Sequence, residues 1–326
     1  MKVLIQPGKA KNVLATIAIG AAYYEAWEKF ALPGWESYCH RHRLGLVVFD
    51  QDLLPLDAPT WKKATWQKML IGETLQANAI EVANVCYLDT DILISPLAPD
   101  IFALCEPQTI GLVSLRHNLP FPYDEVLRRM AFLRHTCYDS AYPLDSALFM
   151  SLDQLYQYHG LPVQKDEACM GLIVFNVANH AALMRRWFEK YDRHVQSVTG
   201  GGDQTHINFE IQNWGAIRWL DYRFQAIWAF EMAWKYPFLY ERDKWGAELS
   251  LACIEASLYQ NHFLHFAGSW HESEMWKVDR AAVGVLQQNR ISEYQDYLDT
   301  PVSGYPVGMV RPKTGADSTL VNQSAK

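Results

Sequence analysis

Hydrophobic and polar positions along the first 115 residues alternate between two patterns. Short, continuously apolar runs are typical of strands buried on both faces of a sheet. Longer segments with apolar residues three or four positions apart predict helices. The predicted strands are 13–20, 44–50, 79–88 and 109–115, and the predicted helices are 23–42, interrupted near Pro33 and Gly34, and 61–78. This order indicates an α/β fold with right-handed βαβ units and a mixed, mainly parallel sheet flanked by helices.

The remaining chain continues with elements of both kinds at less regular spacing. The predicted helices are 123–134, 178–194, 204–212 and 245–259, and the predicted strands are 171–176, 217–220 and 262–266. Periodicity is lost near residue 300, which is typical of a loose terminus. We therefore expect one large domain over 1–298 and a flexible C-terminal tail over 299–326.

Composition mainly excludes classes of function. Half of the 326 residues are hydrophobic and 20% are charged, which indicates a globular protein with a buried core. The formal net charge is −7 with both signs interleaved, so no nucleic-acid partner is expected. No apolar run reaches the roughly 18–20 residues of a transmembrane segment. The six cysteines are scattered without a C-x-x-C pair, which favours free thiols and a cytoplasmic location.

Aromatic residues are numerous, with 12 Trp, 17 Tyr and 14 Phe. Their flat faces can stack on sugar or base rings. A tryptophan-rich stretch allows two interpretations, a binding platform or part of the core, and consists of Trp214, Trp219, Trp228, Trp234 and Trp245.

Two aspartates follow one of the predicted strands directly. Asp89-Thr90-Asp91 stands between the apolar strand 79–88 and the apolar residues 92–94. Residues i and i+2 of an extended segment point to the same side, and the carboxyl ends of the strands face the ligand crevice. Two carboxylates so placed can share a divalent cation, whereas two unpaired charges in an apolar setting would be costly. The pattern therefore favours a metal site over a solvated turn.

Asp89-Thr90-Asp91 resembles the D-x-D motif of the GT-A glycosyltransferases, particularly the group related to family 8 that includes glycogenin and the bacterial lipopolysaccharide galactosyltransferases. Other landmarks of that family recur in order over about residues 13–277. The resemblance implies a GT-A (Rossmann-like) fold, with a nucleotide-sugar-binding half at 1–115 and an acceptor-binding half at 116–298. It also implies transfer of a hexose from a nucleotide sugar, a UDP-hexose, to a glycan, lipid or protein acceptor. Asp89 and Asp91 would hold Mn²⁺ or Mg²⁺, and Thr90 would belong to the same cofactor-binding loop.

The opening strand and its turn are similar to the uridine-binding turn of the family. By this resemblance Tyr23 would stack on the base and Ala18 would offer backbone contacts. The family usually has an aspartate where this chain has Ala21. Tyr23 packed in the core is the alternative interpretation.

Trp66-Gln67-Lys68 stands where the family has a lysine that faces the nucleotide. The resemblance therefore implies that Lys68 adds positive charge to a diphosphate site. The neighbouring Lys62 and Lys63 leave open a second interpretation, in which all three lysines lie on a solvated helix face.

Gly202-Asp203-Gln204 and Asn208 look like the D-Q-x-x-x-N element of the family, which follows a strand similar to 171–176. The resemblance implies catalytic roles, with Asp203 holding donor-sugar hydroxyls and Gln204 beside the anomeric carbon. The match is partial, because Cys169 or Met170 stands where a small residue and asparagine are expected. Asp203 as the N-terminal cap of a helix is the competing interpretation.

His262-Phe-Leu-His265-Phe-Ala-Gly268 resembles the H-x-x-G element, whose histidine is the third protein ligand of the metal. His265 is thus the implied ligand and Gly268 an implied cofactor-binding residue. An imidazole beside two carboxylates favours manganese over magnesium. His262 would point to the other side of the strand or lie in the core. His271 occupies the position of a family lysine, and Lys277 is implied to supply the missing cation.

The reaction implied by the resemblance retains the anomeric configuration, with Asp203 and Gln204 positioning the sugar. An inverting reaction would instead need a carboxylate base, for which Asp166 and Glu167 are candidates.

Two alternatives stay open. One is a nucleotide-sugar- or glycan-binding relative without turnover, which the departures at Ala21, Met170 and His271 favour. The other is a haloacid-dehalogenase-type phosphatase, whose Asp-x-Asp also follows a strand. That class has threonine where this chain has Leu93, and its motif normally lies near the start of the chain.

Overall fold

The computed structural model describes residues 1–138, 147–199, 202–268 and 270–278. These residues belong to a unit that extends from Met1 to Val283. The predicted tail at 299–326 lies outside the described residues, and the division of the domain into two functional halves stays a prediction.

Ten strands and eleven α-helices form this unit within the described residues. The strands are β1 (Lys2–Ile5), β2 (Asn12–Ile17), β3 (Gly45–Phe49), β4 (Asn84–Leu88), β5 (Ile92–Ile94), β6 (Ile110–Val113), β7 (Leu172–Asn176), β8 (Ile217–Leu220), β9 (Ala226–Ile227) and β10 (Phe263–His265). The helices are α1 (Ala21–Phe30), α2 (Leu32–His42), α3 (Ala64–Gln67), α4 (Ile71–Ala77), α5 (Tyr123–Leu133), α6 (Leu152–Tyr158), α7 (Val177–Lys190), α8 (Val195–Thr199), α9 (Gln204–Trp214), α10 (Trp228–Lys235) and α11 (Ala247–Gln260).

A seven-stranded sheet forms the centre, in the order β1-β3-β2-β4-β7-β6-β8. The pairings give β2, β3, β4, β6 and β8 one direction, while β1 and β7 run the opposite way. A second sheet has the order β5-β10-β9. The predicted α/β class with a mixed, mainly parallel sheet is therefore confirmed.

The sheet carries an apolar core on each face, because successive strand residues point to opposite sides. Leu14 and Cys86 belong to a cluster that contains residues of α1, α2, α5, α10 and α11. Their neighbours Val13 and Val85 belong to another cluster, with residues of α4, α7 and α9. All six cysteines are free thiols, as expected. Among the described helices, none has both the length and the apolar character needed to span a bilayer.

Several element boundaries differ from the sequence prediction for local reasons. The break in the first helical segment falls at Ala31, before Pro33, because a proline is tolerated in the first turn of α2. The segment 61–78 is not one helix: the 3₁₀ turn Lys68–Leu70 separates α3 from α4. Only Asn84–Leu88 of the predicted strand 79–88 is extended, since Ala79 has a φ of 56°.

Six short strands and helices were not predicted: β1, β5, β9, α6, α8 and α10. The helix α10 is instructive because it is buried nearly all round, with five of its apolar residues inside: Trp228, Ala229, Phe230, Met232 and Ala233. With eight residues the helix is little more than two turns long, and a short, mostly apolar run cannot be distinguished from a buried strand by periodicity alone.

Lys62 does not lie on a solvated face, so that interpretation is wrong for this residue. Its side chain is fully buried. Nζ donates hydrogen bonds to the carbonyl oxygens of Thr60 at 3.1 Å, Phe188 at 2.9 Å and Tyr191 at 2.6 Å. Burial lowers the pKa of Lys62 to about 8. Lys62 thus ties the segment before α3 to the C-terminal end of α7, whose last carbonyl groups have no intrahelical partner.

Replacing Lys62→Met should lower the free energy of unfolding by about 1–3 kcal/mol, because buried carbonyl groups lose their donor while the apolar volume is kept. Lys63 is exposed and is the matched control, so Lys63→Met should change the value by less than about 0.5 kcal/mol. Urea unfolding of both variants measures the difference, and equal stabilities would refute the role of Lys62.

Candidate functional site

The Asp89-Thr90-Asp91 segment connects β4 of the central sheet to β5 of the second sheet. The Asp89 N–H donates to the carbonyl oxygen of Gly171 at 2.8 Å. β10 pairs antiparallel with β5 so that His265 lies opposite Ile92, and the Phe266 N–H donates to the Asp91 carbonyl oxygen at 3.1 Å. The backbone alone therefore brings His265 beside the two aspartates.

The side chains of Asp89, Asp91 and His265 converge on one point. Nε2 of His265 lies 3.2 Å from Oδ1 of Asp91 and 3.8 Å from Oδ2 of Asp89. One donor atom from each residue lies within 4.8 Å of the others. Oδ1 of Asp91 is buried without a hydrogen-bond partner. Two carboxylates and an imidazole, with one carboxylate oxygen unsatisfied, fit a divalent cation of the manganese type.

Protonation of His265 balances the charge of this trio when no cation is bound. Burial disfavours the imidazolium, but the adjacent Asp91 carboxylate raises the pKa of His265 well above its usual value. Burial likewise opposes ionisation of Asp91, and His265 overcomes it and lowers the pKa of that carboxyl. A divalent cation would therefore displace a proton from His265, as metal ligation by imidazole requires.

Gly171 has no side chain, and the side chains of His265 and Asp89 occupy the space that a Cβ atom would take. A Cβ atom on this residue would lie 2.3 Å from Cε1 of His265, 2.8 Å from Oδ2 of Asp89 and 3.0 Å from Nε2 of Gln225. No real Cβ tolerates such distances, so any side chain at this position would push the ligand groups apart. Glycine is required at position 171 because the side chains of His265 and Asp89 come close to its Cα atom.

Gln225 and Cys169 contact the other ring nitrogen of His265. Nδ1 lies 3.3 Å from Nε2 of Gln225 and 3.5 Å from Sγ of Cys169. Gln225 is fully buried, and its Oε1 has no hydrogen-bond partner. A histidine that ligates a metal through Nε2 carries its proton on Nδ1 and needs an acceptor there. A rotated Gln225 amide would supply Oε1 as that acceptor.

Lys68 links the aspartate segment to the segment that precedes α9. Its side chain is buried, and Nζ lies 3.1 Å from Oδ2 of Asp203 and 3.9 Å from Oδ1 of Asp89. Nζ also donates to the carbonyl oxygen of Met170 at 2.6 Å. Burial opposes the charge, but Asp203 and then Asp89 raise the pKa of Lys68, which keeps the ammonium protonated. The interpretation of Lys68 as part of a solvated face is wrong.

Asp203 occupies the N-terminal position of α9, yet its side chain makes no capping hydrogen bond. The carboxylate is paired with Lys68 instead. A plain helix cap therefore does not explain this residue.

Gln204 is held by a carboxylate that is itself fixed. Nε2 of Gln204 donates to Oε1 of Glu167 at 2.5 Å, and Nε of Arg116 donates to Oε2 of Glu167 at 3.0 Å. The second candidate base, Asp166, accepts from Ser114 Oγ at 2.8 Å. Both carboxylates thus accept hydrogen bonds, and Glu167 directs Nε2 of Gln204 toward itself.

Two pockets meet at this edge of the sheet. The metal pocket, of about 190 Å³, is lined by Lys68, Asp89, Asp91, Cys169, Met170, Gly171, Asp203, Gln204, His265, Ala267 and Gly268. A cavity of about 420 Å³, here called the apolar cavity, shares Cys169, Gln204, Ala267 and Gly268 with it. Gly268, with a φ of 110°, therefore lies where the two spaces join.

For the residues predicted to contact the nucleotide, the structure gives only position and exposure. Ala18 follows β2, which neighbours β4, but its N–H already donates to the carbonyl oxygen of Phe49 at 2.8 Å. Tyr23 is 69% exposed, so the alternative of a core aromatic is wrong for it. Thr90 is half-buried between the two aspartates. The roles of these residues in nucleotide binding stay predictions.

Residues near the C-terminal end of the described chain give a mixed outcome. Lys277 pairs with Glu274 and is not among the described residues that line either pocket. Its phosphate role stays a prediction. The ring of His262 packs against Phe224 at 4.7 Å, and burial, together with Arg223, lowers its pKa to about 4. His262 is therefore a neutral packing residue.

The five tryptophans of the tryptophan-rich stretch do not appear among the described residues that line the two pockets. Trp228 is fully buried in the core. Trp270, which lies outside that stretch, lines the apolar cavity instead. The structure thus offers no support for this stretch as a platform at the site.

Three residues of the site had no role in the sequence analysis: Gly171, Gln225 and Arg116. Gly171 had a weak signal, as the first residue of a predicted strand. Gln225 and Arg116 had none, because their roles depend on pairings between distant segments.

Among the solved structures that are similar to this chain are two glycosyltransferases. One is a glycosyltransferase involved in glycosylation of the major capsid of PBCV-1, with 9% sequence identity, a TM-score of 0.42, and coverage of 82% of this chain and 100% of that chain. The other is the galactosyltransferase LgtC in complex with donor and acceptor sugar analogues, with 14% identity, a TM-score of 0.40, and coverage of 90% and 98%. No protein-family model matches the chain, and no curated protein does.

Replacing Gly171→Ala should weaken Mn²⁺ binding at least tenfold, because the added Cβ displaces His265 and Asp89. Titration calorimetry with Mn²⁺ alone measures this. Gly246→Ala is the matched control, since a Cβ there meets nothing within 4 Å, and it should bind as the unmodified chain does. Equal affinity in the two variants would show that the cation is not held at this point.

Replacing Gln225→Leu should weaken Mn²⁺ binding about 10–100-fold, because Nδ1 of His265 loses its amide partner and keeps only Sγ of Cys169, a weak acceptor. Gln225→Glu keeps an acceptor at that place and should bind Mn²⁺ at least as well as the unmodified chain. The same calorimetric titration compares the two. A glutamate variant as weak as the leucine variant would assign Gln225 a packing role only.

Proposed function

We propose that this protein is a metal-dependent glycosyltransferase of the GT-A type, which transfers a hexose from a nucleotide sugar, a UDP-hexose, to an acceptor hydroxyl with retention of configuration. The observation that carries the proposal is the convergence of Asp89, Asp91 and His265 beside Lys68 at the carboxyl end of β4. This is a cation site in the ligand crevice of an α/β sheet, with one further fixed positive charge next to it.

The positive charges at this site suit a leaving group that contains phosphate. Cleavage of the bond between an anomeric carbon and a nucleoside diphosphate leaves negative charge on the phosphate oxygens. Bound Mn²⁺ would supply positive charge against it. Lys68 lies 3.9 Å from Asp89, and its charge stays fixed in a buried position, where it acts at low reorganisation cost. Asp89 and Asp91 would hold the cation through carboxylate oxygens.

The sugar side of the pocket is formed by Asp203 and Gln204. Asp203 is ion-paired with Lys68, so the residue assigned to donor-sugar hydroxyls is coupled to the residue assigned to the diphosphate. Gln204 directs Nε2 to Glu167, and its side chain lines the metal pocket, where its amide oxygen would be the group that meets the sugar. Developing positive charge at the anomeric carbon is stabilised by such an oxygen.

Retention of configuration is supported by the hydrogen bonds that the two candidate bases, Asp166 and Glu167, already accept. Glu167 accepts hydrogen bonds from Arg116 and Gln204, and Asp166 accepts from Ser114. A general base for inversion needs a carboxylate that is available to the acceptor hydroxyl. Both of these are occupied by donors, so a mechanism without a dedicated base is favoured.

With Mn²⁺ and a panel of nucleotide sugars, we expect release of the nucleoside diphosphate from one or a few donors, UDP-hexoses among them. Asp89→Asn and Asp91→Asn should each lower this rate at least about 100-fold, because the cation loses a charged ligand. Asp57→Asn, at an exposed aspartate, is the matched control and should keep the rate.

Three readouts separate this function from its alternatives. Proton NMR of the transfer product reports whether the configuration is retained. Release of inorganic phosphate from simple esters, with no turnover of nucleotide sugars, would identify a phosphatase. Manganese-dependent binding of a nucleotide sugar with no release of diphosphate, with or without acceptors, would identify a binding protein.

A further inference from the structure

The apolar cavity adjoins the metal pocket and is partly open to solvent, with exposed Ala147 and Gly202 in its lining. The two spaces share Cys169, Gln204, Ala267 and Gly268, so a molecule bound across that boundary would touch both. The cavity of about 420 Å³ falls within the roughly 300–1,000 Å³ of small-molecule sites. At about 30 Å³ per water it has room for about fourteen atoms of that size.

The walls of this cavity are largely hydrocarbon. Its lining includes Leu115, Leu155, Ile227, Ala229, Phe230 and Trp270. Leu155, Ile227, Ala229 and Phe230 are each at most 5% exposed, so these walls belong to the buried core. Polar atoms are fewer in the lining: Oγ1 of Thr199 and Nδ1 of His159 are buried without a hydrogen-bond partner. A sugar placed against Ile227, Ala229 and Phe230 would leave hydroxyl groups without partners, which is costly along an apolar wall.

The charged groups at the wall are already paired. Arg134 donates to Glu272 across the buried interior, and Glu167 accepts from Arg116 and Gln204. His159 also lines the cavity, and burial lowers its pKa, which favours the neutral imidazole. The cavity therefore offers an uncharged, mainly apolar environment.

We propose that the apolar cavity binds the aglycone of the acceptor, so that the acceptor is a hydroxyl compound carrying an alkyl or aryl group. This inference rests on the proposed function. The accepting hydroxyl would lie at the boundary near Gln204, and the apolar group would extend past Ala229 and Phe230. The geometry separates the polar donor, held in the metal pocket, from an acceptor whose affinity comes from burying hydrocarbon.

The test uses the full chain and two series of acceptors, the methyl, n-propyl, n-hexyl and phenyl β-D-glucosides and the corresponding β-D-galactosides. Dissociation constants are measured by calorimetry without donor, and transfer is measured with Mn²⁺ and the active nucleotide sugar. In at least one series, we expect the dissociation constant to fall about two- to fourfold for each added methylene, and the KM for transfer to fall in parallel. Equal constants for the methyl and n-hexyl compounds in both series would overturn the inference.

Two variants test the location. Ala229→Leu fills the cavity and should remove the dependence on chain length, whereas Ala247→Leu, at an exposed alanine, should keep it. Should Ala229→Leu fail to fold, Trp270→Ala at a half-exposed wall residue should raise the dissociation constant of the n-hexyl compound about tenfold. A chain-length dependence that survives in every folded variant would place the binding elsewhere and overturn the proposal.

The two proposals fail in different ways. If the alkyl compounds bind with the expected dependence and no nucleotide sugar is consumed, the proposed transfer is refuted and the apolar site stands. If nucleotide sugars are consumed and the acceptor series shows no dependence on chain length, the transferase stands and the apolar acceptor is refuted.

Discussion

The antiparallel pairing of β10 with β5 is the interaction on which the site depends. It places His265 opposite Ile92, one residue after the Asp89-Thr90-Asp91 segment, although the two segments are separated by more than 170 positions in the chain. The close approach of His265 and Asp89 is possible because Gly171 carries no side chain between them. The candidate cation site thus depends on the register of the sheet and on the absence of one Cβ atom.

The electrostatics of this edge of the sheet explain why so many ionisable groups can be buried together. Three carboxylates, those of Asp89, Asp91 and Asp203, lie next to two cationic groups within the described residues, Lys68 and a protonated His265. Binding a divalent cation would release the proton of His265 and still leave the centre close to neutral. A group of side chains whose total charge is close to zero, both with and without the cation, avoids the large cost of isolated buried charge.

The sequence predicts the parts of this protein that depend on local pattern. Continuous apolar runs predict the central strands, and the paired aspartates after such a run predict a cation site at their end. The antiparallel direction of β7 and the second sheet were not predictable, because both depend on pairing between distant segments. Lys62 and Lys63 show the same limit of sequence-based prediction. The two residues are identical and adjacent, yet Lys62 is buried and donates to three carbonyl groups, whereas Lys63 is exposed.

The contrast between the two adjoining pockets follows from the same architecture. The polar groups of the metal pocket come from loops at the ends of strands, where backbone turns leave carboxylates and the amide of Gln204 directed into one space. The apolar cavity is lined in part by α10, which is buried nearly all round, and by residues of the core itself. Under the proposed function, the fixed charges would bind the anionic donor together with a cation held by Asp89, Asp91 and His265, while the hydrocarbon walls would discriminate acceptors by shape and by area removed from water. Substitutions in the core lining are then expected to alter the acceptor without disturbing the cation.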